Sequence, residues 1–187
     1  MANTTQITTG KVRFSYCYLF SPRASQDGGP AKYSVTLLIP KSDKATLAKI
    51  KAAMEAAKAN FIAKNNGKKL PPNLASTMHD GDGVRENGED FGPECKGCYV
   101  MTVSSTNAPV IVDADKTPIT NPQELYSGCY GRAVINFYVY DYMGKRGISA
   151  GLNGVMKLYD GEPLAGGVVT DADWDDDWED SDDDLLG

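Results

Sequence analysis

The fold is decided by residues 132–142, which read Arg-Ala-Val-Ile-Asn-Phe-Tyr-Val-Tyr-Asp-Tyr. Apolar and more polar side chains alternate along this stretch, which is the period of a strand with one buried face. The apolar face consists of Ala133, Ile135, Phe137 and Val139, and the other face of Arg132, Asn136, Tyr138, Tyr140 and Tyr142. Gly144-Lys-Arg-Gly147 predicts a turn. The chain then returns through an apolar strand over 148–158, which Gly151 and Gly154 interrupt where a barrel needs a bulge.

Further strands and a helix precede this unit. Alternation predicts strands over Gly10–Phe20 and Lys32–Ile39, and shorter strands over Tyr99–Val103 and Val110–Asp113. Between the second and third of these, apolar residues recur at helical spacing in an Ala- and Lys-rich stretch. They are Leu47, Ile50, Met54, Ala57 and Phe61, preceded by the capping pair Ser42-Asp43 and followed by Asn65-Asn66-Gly67.

About five strands with one internal helix, over about residues 43–65, are the elements of an OB-fold, a small and partly open β-barrel. We therefore predict a mainly β chain with an OB-fold-like five-stranded barrel and long loops. Residues 66–97, rich in Pro, Gly, Asn and acid, are expected to be a long irregular segment. Lys44, Lys51 and Lys58 fall seven apart on the helix, and a solvated face is favoured over a DNA contact.

Charge is distributed unevenly along the 187 residues. Residues 171–187 hold ten of the 25 acidic residues and no base, which leaves 15 acids against 19 bases, a charge of +4, in residues 1–170. Such an acidic segment cannot bury enough apolar surface to fold. We predict an OB-fold domain over residues 1–165 and a disordered acidic tail over 166–187.

The polar face of 132–142 is the strongest candidate binding site. Three tyrosines, Tyr138, Tyr140 and Tyr142, share it with Arg132, and Lys145 and Arg146 follow the predicted turn. Bases stack on aromatic faces while nearby cations hold the phosphates. Lys11, Arg13 and Lys32, on the polar faces of their own strands, would extend the cationic track. The alternative is that the tyrosines lie under the helix or the loops.

Aromatics of the first strand receive the opposite interpretation. Phe14, Tyr16, Tyr18 and Phe20 share parity with Val12, which favours the barrel interior, although Tyr18 and Phe20 could emerge at the rim.

The tail combines acid with apolar side chains that are suited to a partner. Trp174 and Trp178 are the tryptophans of the sequence, and tryptophan is enriched at binding hot spots. The tail could also act as a tethered polyanion that competes with DNA for a cationic groove, or it could be a passive solubilising segment. Its candidate partner-binding residues are Asp171, Trp174, Asp176, Trp178, Asp183 and Leu186.

Catalytic and metal sites are weakly supported. Cys95-Lys-Gly-Cys98 has zinc-like spacing, but plain reduced thiols are favoured because a second such pair is missing. Asp80-Gly-Asp82 departs from a calcium loop at the later ligand positions, and Asp113-Ala-Asp115 favours a turn. With one His and no phosphate-binding glycine loop, we predict neither an enzyme, nor a metal site, nor a cofactor. Without a signal peptide or a membrane-length apolar run, a cytoplasmic protein is expected.

Four ordered motifs carry a family resemblance. They are Lys32-Tyr-Ser-Val-Thr-Leu-Leu-Ile-Pro-Lys-Ser-Asp43, Tyr126-Ser-Gly-Cys-Tyr-Gly-Arg132, Gly147-Ile-Ser-Ala-Gly-Leu-Asn153 and Asp160-Gly-Glu-Pro-Leu164. Over roughly residues 8–165 the chain resembles the single-stranded DNA-binding proteins of tailed bacteriophages, formerly a domain of unknown function. The resemblance implies an OB-fold, sequence-tolerant binding of single strands in phage replication, recombination or repair, and site roles for Tyr126, Tyr130 and Arg132.

The tail is similar in kind to those with which bacterial and phage single-strand binders recruit replication proteins. It departs from them because it ends Leu185-Leu186-Gly187 rather than in an aromatic residue. We therefore expect a single-stranded DNA-binding protein. The alternatives are a protein-interaction or chaperone module that uses the acidic tail and, with less support, a metal nuclease that uses the long acidic loop.

Overall fold

A computed structural model describes residues 5–24, 28–71, 74–85, 87–142 and 145–164. These residues contain nine strands and one α-helix, α1 (Lys44–Lys64). The strands are β1 (Gln6–Thr8), β2 (Val12–Arg23), β3 (Lys32–Pro40), β4 (Ala75–Ser76), β5 (Met78–Asp80), β6 (Cys98–Ser105), β7 (Val110–Val112), β8 (Tyr130–Tyr142) and β9 (Lys145–Tyr159). No helix within this described part is long and apolar enough to cross a membrane.

Five of the strands close into a ring. β8 pairs with β2, β2 with β3, β3 with β6, β6 with β9, and β9 again with β8. All these pairs are antiparallel except β6–β9, where Ser104 lies opposite Gly151 in a parallel pair. Four short strands pair with strands of this ring. β1 pairs with β8, β5 pairs with β6, and both β4 and β7 pair with β9. The predicted five-stranded OB-like barrel with one internal helix is confirmed.

The barrel interior is filled by the alternating apolar positions of the ring strands. Its largest buried side chains include Phe14, Leu37, Met101, Phe137 and Leu152. The helix α1 contributes a row of small and branched residues to the same core, namely Ile50, Ala53 and Ala57. The periodicity located the interior correctly for β3, β8 and β9.

Both ends of α1 follow the local signals of the sequence. The side chain of Asp43 accepts a hydrogen bond of 3.1 Å from the backbone N–H of Thr46, which satisfies a free donor of the first turn. At the other end, Asn66 and Gly67 take positive φ values of 55° and 78°, a backbone conformation that terminates a helix.

The strand β2 departs from simple alternation at Tyr16. Ser15 lies opposite Thr36, but the next paired residue is Tyr18, opposite Ser34. The two strands therefore carry unequal numbers of residues between these pairs, which is a β-bulge, and the bulge changes which face the following side chains occupy. Tyr16 is 55% exposed and Tyr18 lies on the outer face with Ser34, so the predicted interior position of these two tyrosines is wrong.

Two loop predictions also need correction. The segment 66–97 contains β4, β5 and a short 3₁₀ turn at Pro93–Cys95, and it folds back onto the outside of the barrel. There Phe91 and Cys95 cover the outward side chains of Leu38 and Val100. The predicted turn over residues 144–147 is wrong at its C-terminal side, because Lys145 to Gly147 already belong to β9.

Candidate nucleic-acid interface

A groove of about 720 Å³ runs between the outer faces of β2, β3 and β6 and the folded loop that follows β5. Its floor is mainly polar and is formed by Ser15, Ser34, Thr36, Leu38, Val100 and Thr102. One wall carries Tyr16, Tyr18 and Arg23, and the other carries Val84, Arg85, Asn87, Phe91 and Glu94. The groove therefore places aromatic rings and arginines on both sides of a floor rich in hydroxyl groups.

Each wall pairs a guanidinium group with a ring. The Cζ atom of Arg23 lies 5.0 Å from the ring centroid of Tyr18, and that of Arg85 lies 4.9 Å from the centroid of Phe91. Such cation–π contacts orient the arginine without neutralising its charge. Both arginines are exposed, so both positive charges remain available to an anionic ligand.

The exposed ring of Tyr16 depends on an uncommon backbone conformation. Its φ is 47°, a left-handed value that costs an L-residue roughly 1–2 kcal/mol. The backbone N–H of Tyr16 donates a 2.9 Å hydrogen bond to Oγ of Ser127. The next residue of that segment makes a second bond to β2, because the backbone N–H of Gly128 donates to the carbonyl oxygen of Phe14 at 2.7 Å. The segment before β8 thus fixes the bulge that turns this ring toward the groove.

An ion-pair network anchors the loop wall. Nζ of Lys41 lies 2.7 Å from Oδ1 of Asp80 and 2.8 Å from Oδ2 of Asp82. The hydrogen bonds from Lys41 lower the pKa of both carboxyl groups, and the same bonds raise the pKa of Lys41. Asp82 also accepts a bond of 3.1 Å from the N–H of Gly97. Asp80 and Asp82 thus bind the ammonium group of Lys41 and, through Asp82, the loop backbone at Gly97, so the loop that forms this wall is held in place.

A second basic and aromatic cluster, the Tyr130 cluster, consists of Lys11, Arg13, Tyr130 and Tyr159. The rings of Tyr130 and Tyr159 have centroids 5.1 Å apart. Nζ of Lys11 lies 5.5 Å from the Tyr159 centroid, and Cζ of Arg13 lies 5.3 Å from that of Tyr130. A hydrogen bond with Tyr159 raises the pKa of Lys11. Since Arg13 and Ser15 are successive outward residues of β2, the cluster adjoins the groove.

Three of the predicted residues, Arg13 among them, make hydrogen bonds that hold the fold. The hydroxyl of Tyr126 donates to Oδ1 of Asp160 at 3.1 Å, and burial raises the pKa of Tyr126. Arg13 donates to the carbonyl of Gly128 at 3.1 Å. Nε of Arg132 donates to the carbonyl of Thr9 at 2.8 Å. Part of the hydrogen-bonding capacity of Arg13 and Arg132 is therefore used within the protein.

Four other predicted residues, Tyr138, Tyr140, Lys145 and Arg146, lie on the hairpin of β8 and β9 and do not line the groove. Tyr138 is 42% exposed, whereas Tyr140 is half-buried, and its hydroxyl group occupies the space beside the Cα atom of Gly147 that a side chain there would fill. Lys145 is exposed, and Nε of Arg146 lies 3.1 Å from Oδ2 of Asp141. The side chain of Tyr142 lies outside the described residues. Lys32 is exposed opposite Arg23, at the end of the ladder where Arg23 lines the groove.

Sequence reasoning missed the groove residues Tyr16, Tyr18, Arg23, Arg85 and Phe91. The sequence does not reveal the bulge that places Tyr16 and Tyr18 on the outer face. Arg85 and Phe91 lie in a long loop that has no hydrophobic periodicity from which their position could be predicted. The predicted tail residues, from Asp171 to Leu186, lie outside the described residues.

All four cysteines are free thiols. Cys95 and Cys129 are buried, and Cys17 and Cys98 are half-buried. Burial raises the pKa of Cys17 to about 12, so this thiol stays protonated near neutral pH. Across the described ranges, no group of three or more His, Cys, Asp or Glu side chains is placed to hold a metal ion.

Comparison with known proteins gives a consistent result. The family model described as Enterobacter phage Enc34, ssDNA-binding protein, matches residues 5–186. The solved structure of the single-stranded DNA-binding protein from bacteriophage Enc34 in complex with ssDNA is 30% identical, with a TM-score of 0.74, over 87% of this chain and 90% of that one.

Two further proteins extend the comparison. The putative protein p50 of Acyrthosiphon pisum secondary endosymbiont phage 1 is 30% identical, over 88% of this chain and 89% of its own. The crystal structure of gp2.5, a single-stranded DNA-binding protein encoded by bacteriophage T7, is 14% identical with a TM-score of 0.59, over 88% of this chain and 97% of that one. At that identity the likeness to gp2.5 concerns the fold.

Proposed function

The chain belongs to the family of the Enterobacter phage Enc34 ssDNA-binding protein, and from this premise we propose that it binds single-stranded DNA in the groove between β2, β3, β6 and the loop after β5. The observation that carries the placement is the ring of Tyr16, which a strained bulge holds 55% exposed beside the groove. Strained backbone in native proteins clusters at functional sites.

The groove has the chemistry for sequence-tolerant binding. Tyr16 and Tyr18 offer ring faces on which bases stack, at about 1–3 kcal/mol per base. Arg23 and Arg85 stand on opposite walls, where they can hold phosphates. The Thr36 and Thr102 hydroxyls are 3.0 Å apart and bonded to each other, so the floor offers little that would distinguish one base from another.

The residues predicted from sequence extend this track at both ends. In OB-folds the face of the second and third strands binds oligonucleotides together with the loops between strands 1 and 2 and between strands 4 and 5. The hairpin of β8 and β9, which joins the last two barrel strands, carries Tyr138, Tyr140, Tyr142, Lys145 and Arg146. At the other end, the Tyr130 cluster adds Lys11, Arg13 and Tyr130, with Arg132, Tyr126 and Lys32 nearby.

The biological role follows from binding alone. We propose that the protein coats exposed single strands during phage DNA replication, recombination or repair in the cytoplasm of the infected host. A coat of this kind protects the strand and removes hairpins without breaking a covalent bond, so the proposal requires no catalytic residue and no cofactor. Its support is the family membership and the open aromatic and cationic groove.

The acidic segment 171–187 is proposed to restrain binding and to recruit partners. Its ten carboxylates can compete with phosphates for the cationic track while DNA is absent. When DNA displaces the tail, Trp174, Trp178 and Leu186, together with Asp171, Asp176 and Asp183, become available to a replication or recombination protein.

Binding of a labelled oligo-dT, followed by fluorescence anisotropy over a series of salt concentrations, tests the function. If about four phosphates are contacted, log affinity falls with log salt at a slope near −3, from about 0.7 per contact on single strands. Single strands should bind more tightly than the matching duplex. A flat salt response, or equal affinity for duplex, would contradict the proposal.

The alternative is a protein-interaction module that uses the acidic tail as a chaperone for basic partners. Deletion of residues 171–187 separates the two functions. As a DNA-binding protein, the truncated chain keeps or gains affinity for single strands, because a competing polyanion is lost. As a chaperone it loses its activity, since the acidic residues are then the binding element.

A further inference from the structure

An apolar depression of about 400 Å³, here the Val134 valley, lies on the outer face of β8 and β9. Its apolar lining consists of Val110 and Val112 of β7, Val134 of β8, and Gly154 and Met156 of β9. Arg132 stands on its rim with Gln6 and Asn153, whose amide groups are hydrogen-bonded to each other at 2.9 Å. The valley is separate from the proposed DNA groove and shares no lining residue with it.

The apolar lining is open to solvent. Val110 is 66% exposed, and Val112, Val134 and Met156 are half-buried. At the floor, a Cβ atom on Gly154 would stand 3.9 Å from those of Val110 and Val134, so the missing side chain leaves the depression open between them. Contiguous exposed apolar surface marks interaction sites in soluble proteins.

Positive charge borders the valley on one side. Tyr130, Arg132 and Val134 are alternate residues of β8 and share its outer face. Arg132 therefore lies between the valley at Val134 and the Tyr130 cluster, which contains Lys11 and Arg13. Asp113, which follows Val112 in sequence, does not line the valley, and it accepts hydrogen bonds from the N–H groups of Asp115 and Thr117 within its own turn. The surface favours a ligand that carries both an apolar ring and carboxylates.

We propose that the Val134 valley binds a tryptophan of the chain's own acidic segment, Trp174-Asp-Asp-Asp-Trp178. The two indoles are four residues apart in sequence, about 13 Å in an extended chain. Tyr130 and Val134 are also four residues apart along the extended strand β8. One indole can thus occupy the valley while the other meets the rings of Tyr130 and Tyr159. Asp176, which shares the face of the two indoles in an extended chain, then lies toward Arg132 and Lys11.

The chain length permits this docking. The described chain reaches Leu164, whose backbone N–H donates a 2.9 Å bond to the carbonyl of Ser127. From Ser127 to Val134 is at most about 25 Å of extended chain, and from Leu164 to Trp174 the linker reaches about 35 Å. Trp174 and Trp178 can both reach the valley from the same molecule.

Docking gives the proposed restraint by the tail a defined anchor. The indoles supply a fixed position, and the carboxylates cover the Tyr130 cluster, which is the end of the proposed DNA track. The regulatory consequence rests on the proposed function, but the docking itself does not require DNA binding. The two can therefore fail separately.

Tryptophan fluorescence tests the docking on the full chain without DNA, because both tryptophans of the sequence lie in the tail. We expect emission at shorter wavelength, and weaker acrylamide quenching, than for a synthetic peptide of residues 171–187. Val110→Glu should shift both values to those of the free peptide. Because Val110 is exposed, folding should survive, and Met156→Glu provides a second variant at the same site.

Val84→Glu is the matched control, since Val84 is 61% exposed and lines the DNA groove. It should leave the tryptophan emission unchanged and weaken oligo-dT binding, whereas Val110→Glu should not weaken it. Peptide-like emission in the unaltered chain would overturn the docking. So would an emission shift with Val84→Glu in place of Val110→Glu, or emission that depends on protein concentration, which would place the tail on a second copy. None of these fluorescence outcomes changes the oligo-dT test.

Discussion

The backbone N–H of Tyr16 donates a hydrogen bond of 2.9 Å to the hydroxyl oxygen of Ser127, a residue 111 positions away in sequence. This bond joins the bulge of β2 to the segment that leads into β8. Because Tyr16 has a φ of 47°, the bulge persists only while its surroundings hold it. The orientation of an exposed ring at the groove thus depends on a distant serine.

Ser127→Ala should lower the affinity for oligo-dT about fivefold, because one hydrogen bond of about 1 kcal/mol no longer holds the bulge. Anisotropy titration measures the affinity, and the thermal midpoint measures the loss of stability. Ser105→Ala is the matched control, since Oγ of Ser105 accepts a backbone bond of 3.1 Å from Asn107 in a turn away from the groove. Equal affinities for the two variants would contradict the proposed role of Ser127.

Tyr16→Gly and Tyr16→Ala separate strain from stacking. Both remove the ring, so both should weaken oligo-dT binding by about 1–3 kcal/mol, the value for one stacked base. Only glycine relieves the left-handed backbone, and it should be more stable than the alanine variant by roughly 1 kcal/mol. Chemical denaturation measures the difference. Tight binding by either variant would show that the ring is not a stacking platform.

Lys41→Met should abolish a pH dependence of stability that the Lys41 network produces. The pKa values of Asp80 and Asp82 are lowered by folding, so their contribution is present above about pH 5 and is lost as pH falls through the folded pKa values. The pKa of Lys41 is raised, so its contribution is present below about pH 9 and is lost at higher pH, as pH rises through the folded value.

Thermal midpoints across pH 3–11 for the unaltered chain and for Lys41→Met give the measurement. The difference between the two should be greatest near neutral pH and should shrink toward both extremes. Lys58→Met removes an exposed lysine that pairs with Glu55 on α1 and is the control. A difference independent of pH would mean that Lys41 stabilises the loop by packing rather than by charge.

Gly128→Ala should destabilise the protein by more than about 1 kcal/mol. The φ of Gly128 is 119°, and an added Cβ would stand 2.1 Å from the carbonyl oxygen of Glu162, so the backbone of the 160–164 segment has to move. Gly67→Ala also places a side chain at positive φ, but in open space, and should cost less. Denaturant midpoints compare them, and equal losses would refute the packing explanation.

The sequence predicted the parts of the fold where local signals agree with the tertiary structure. The helix α1 was predicted to within a residue or two at each end, because Asp43 caps it and Asn65-Asn66-Gly67 ends it. The long hairpin of β8 and β9 was predicted by alternation, since its inner face is consistently apolar. The predicted turn was misplaced because Lys145 to Gly147 resemble loop residues, although they pair with β8.

The groove could not be predicted, because its position depends on long-range contacts. Tyr16 and Tyr18 have the parity of the buried Phe14, and only a bulge held by Ser127 places them outside. Arg85 and Phe91 reach the groove because Lys41 ties a loop that has no periodicity of its own. Lys11, Arg13 and Tyr130, by contrast, were identified from alternation and motif, and the structure brings them together.

The central claim, that single-stranded DNA lies in this groove, is tested most directly by the salt dependence of oligo-dT binding in two charge-matched double variants. Arg23→Ala with Arg85→Ala removes two groove cations, and Lys44→Ala with Lys51→Ala removes two exposed cations of α1. The groove variant should lose affinity and its slope should flatten by about 1.4, from about 0.7 per phosphate contact, while the helix variant keeps the original slope. An unchanged slope in the groove variant, or an equal change in both, would contradict the account.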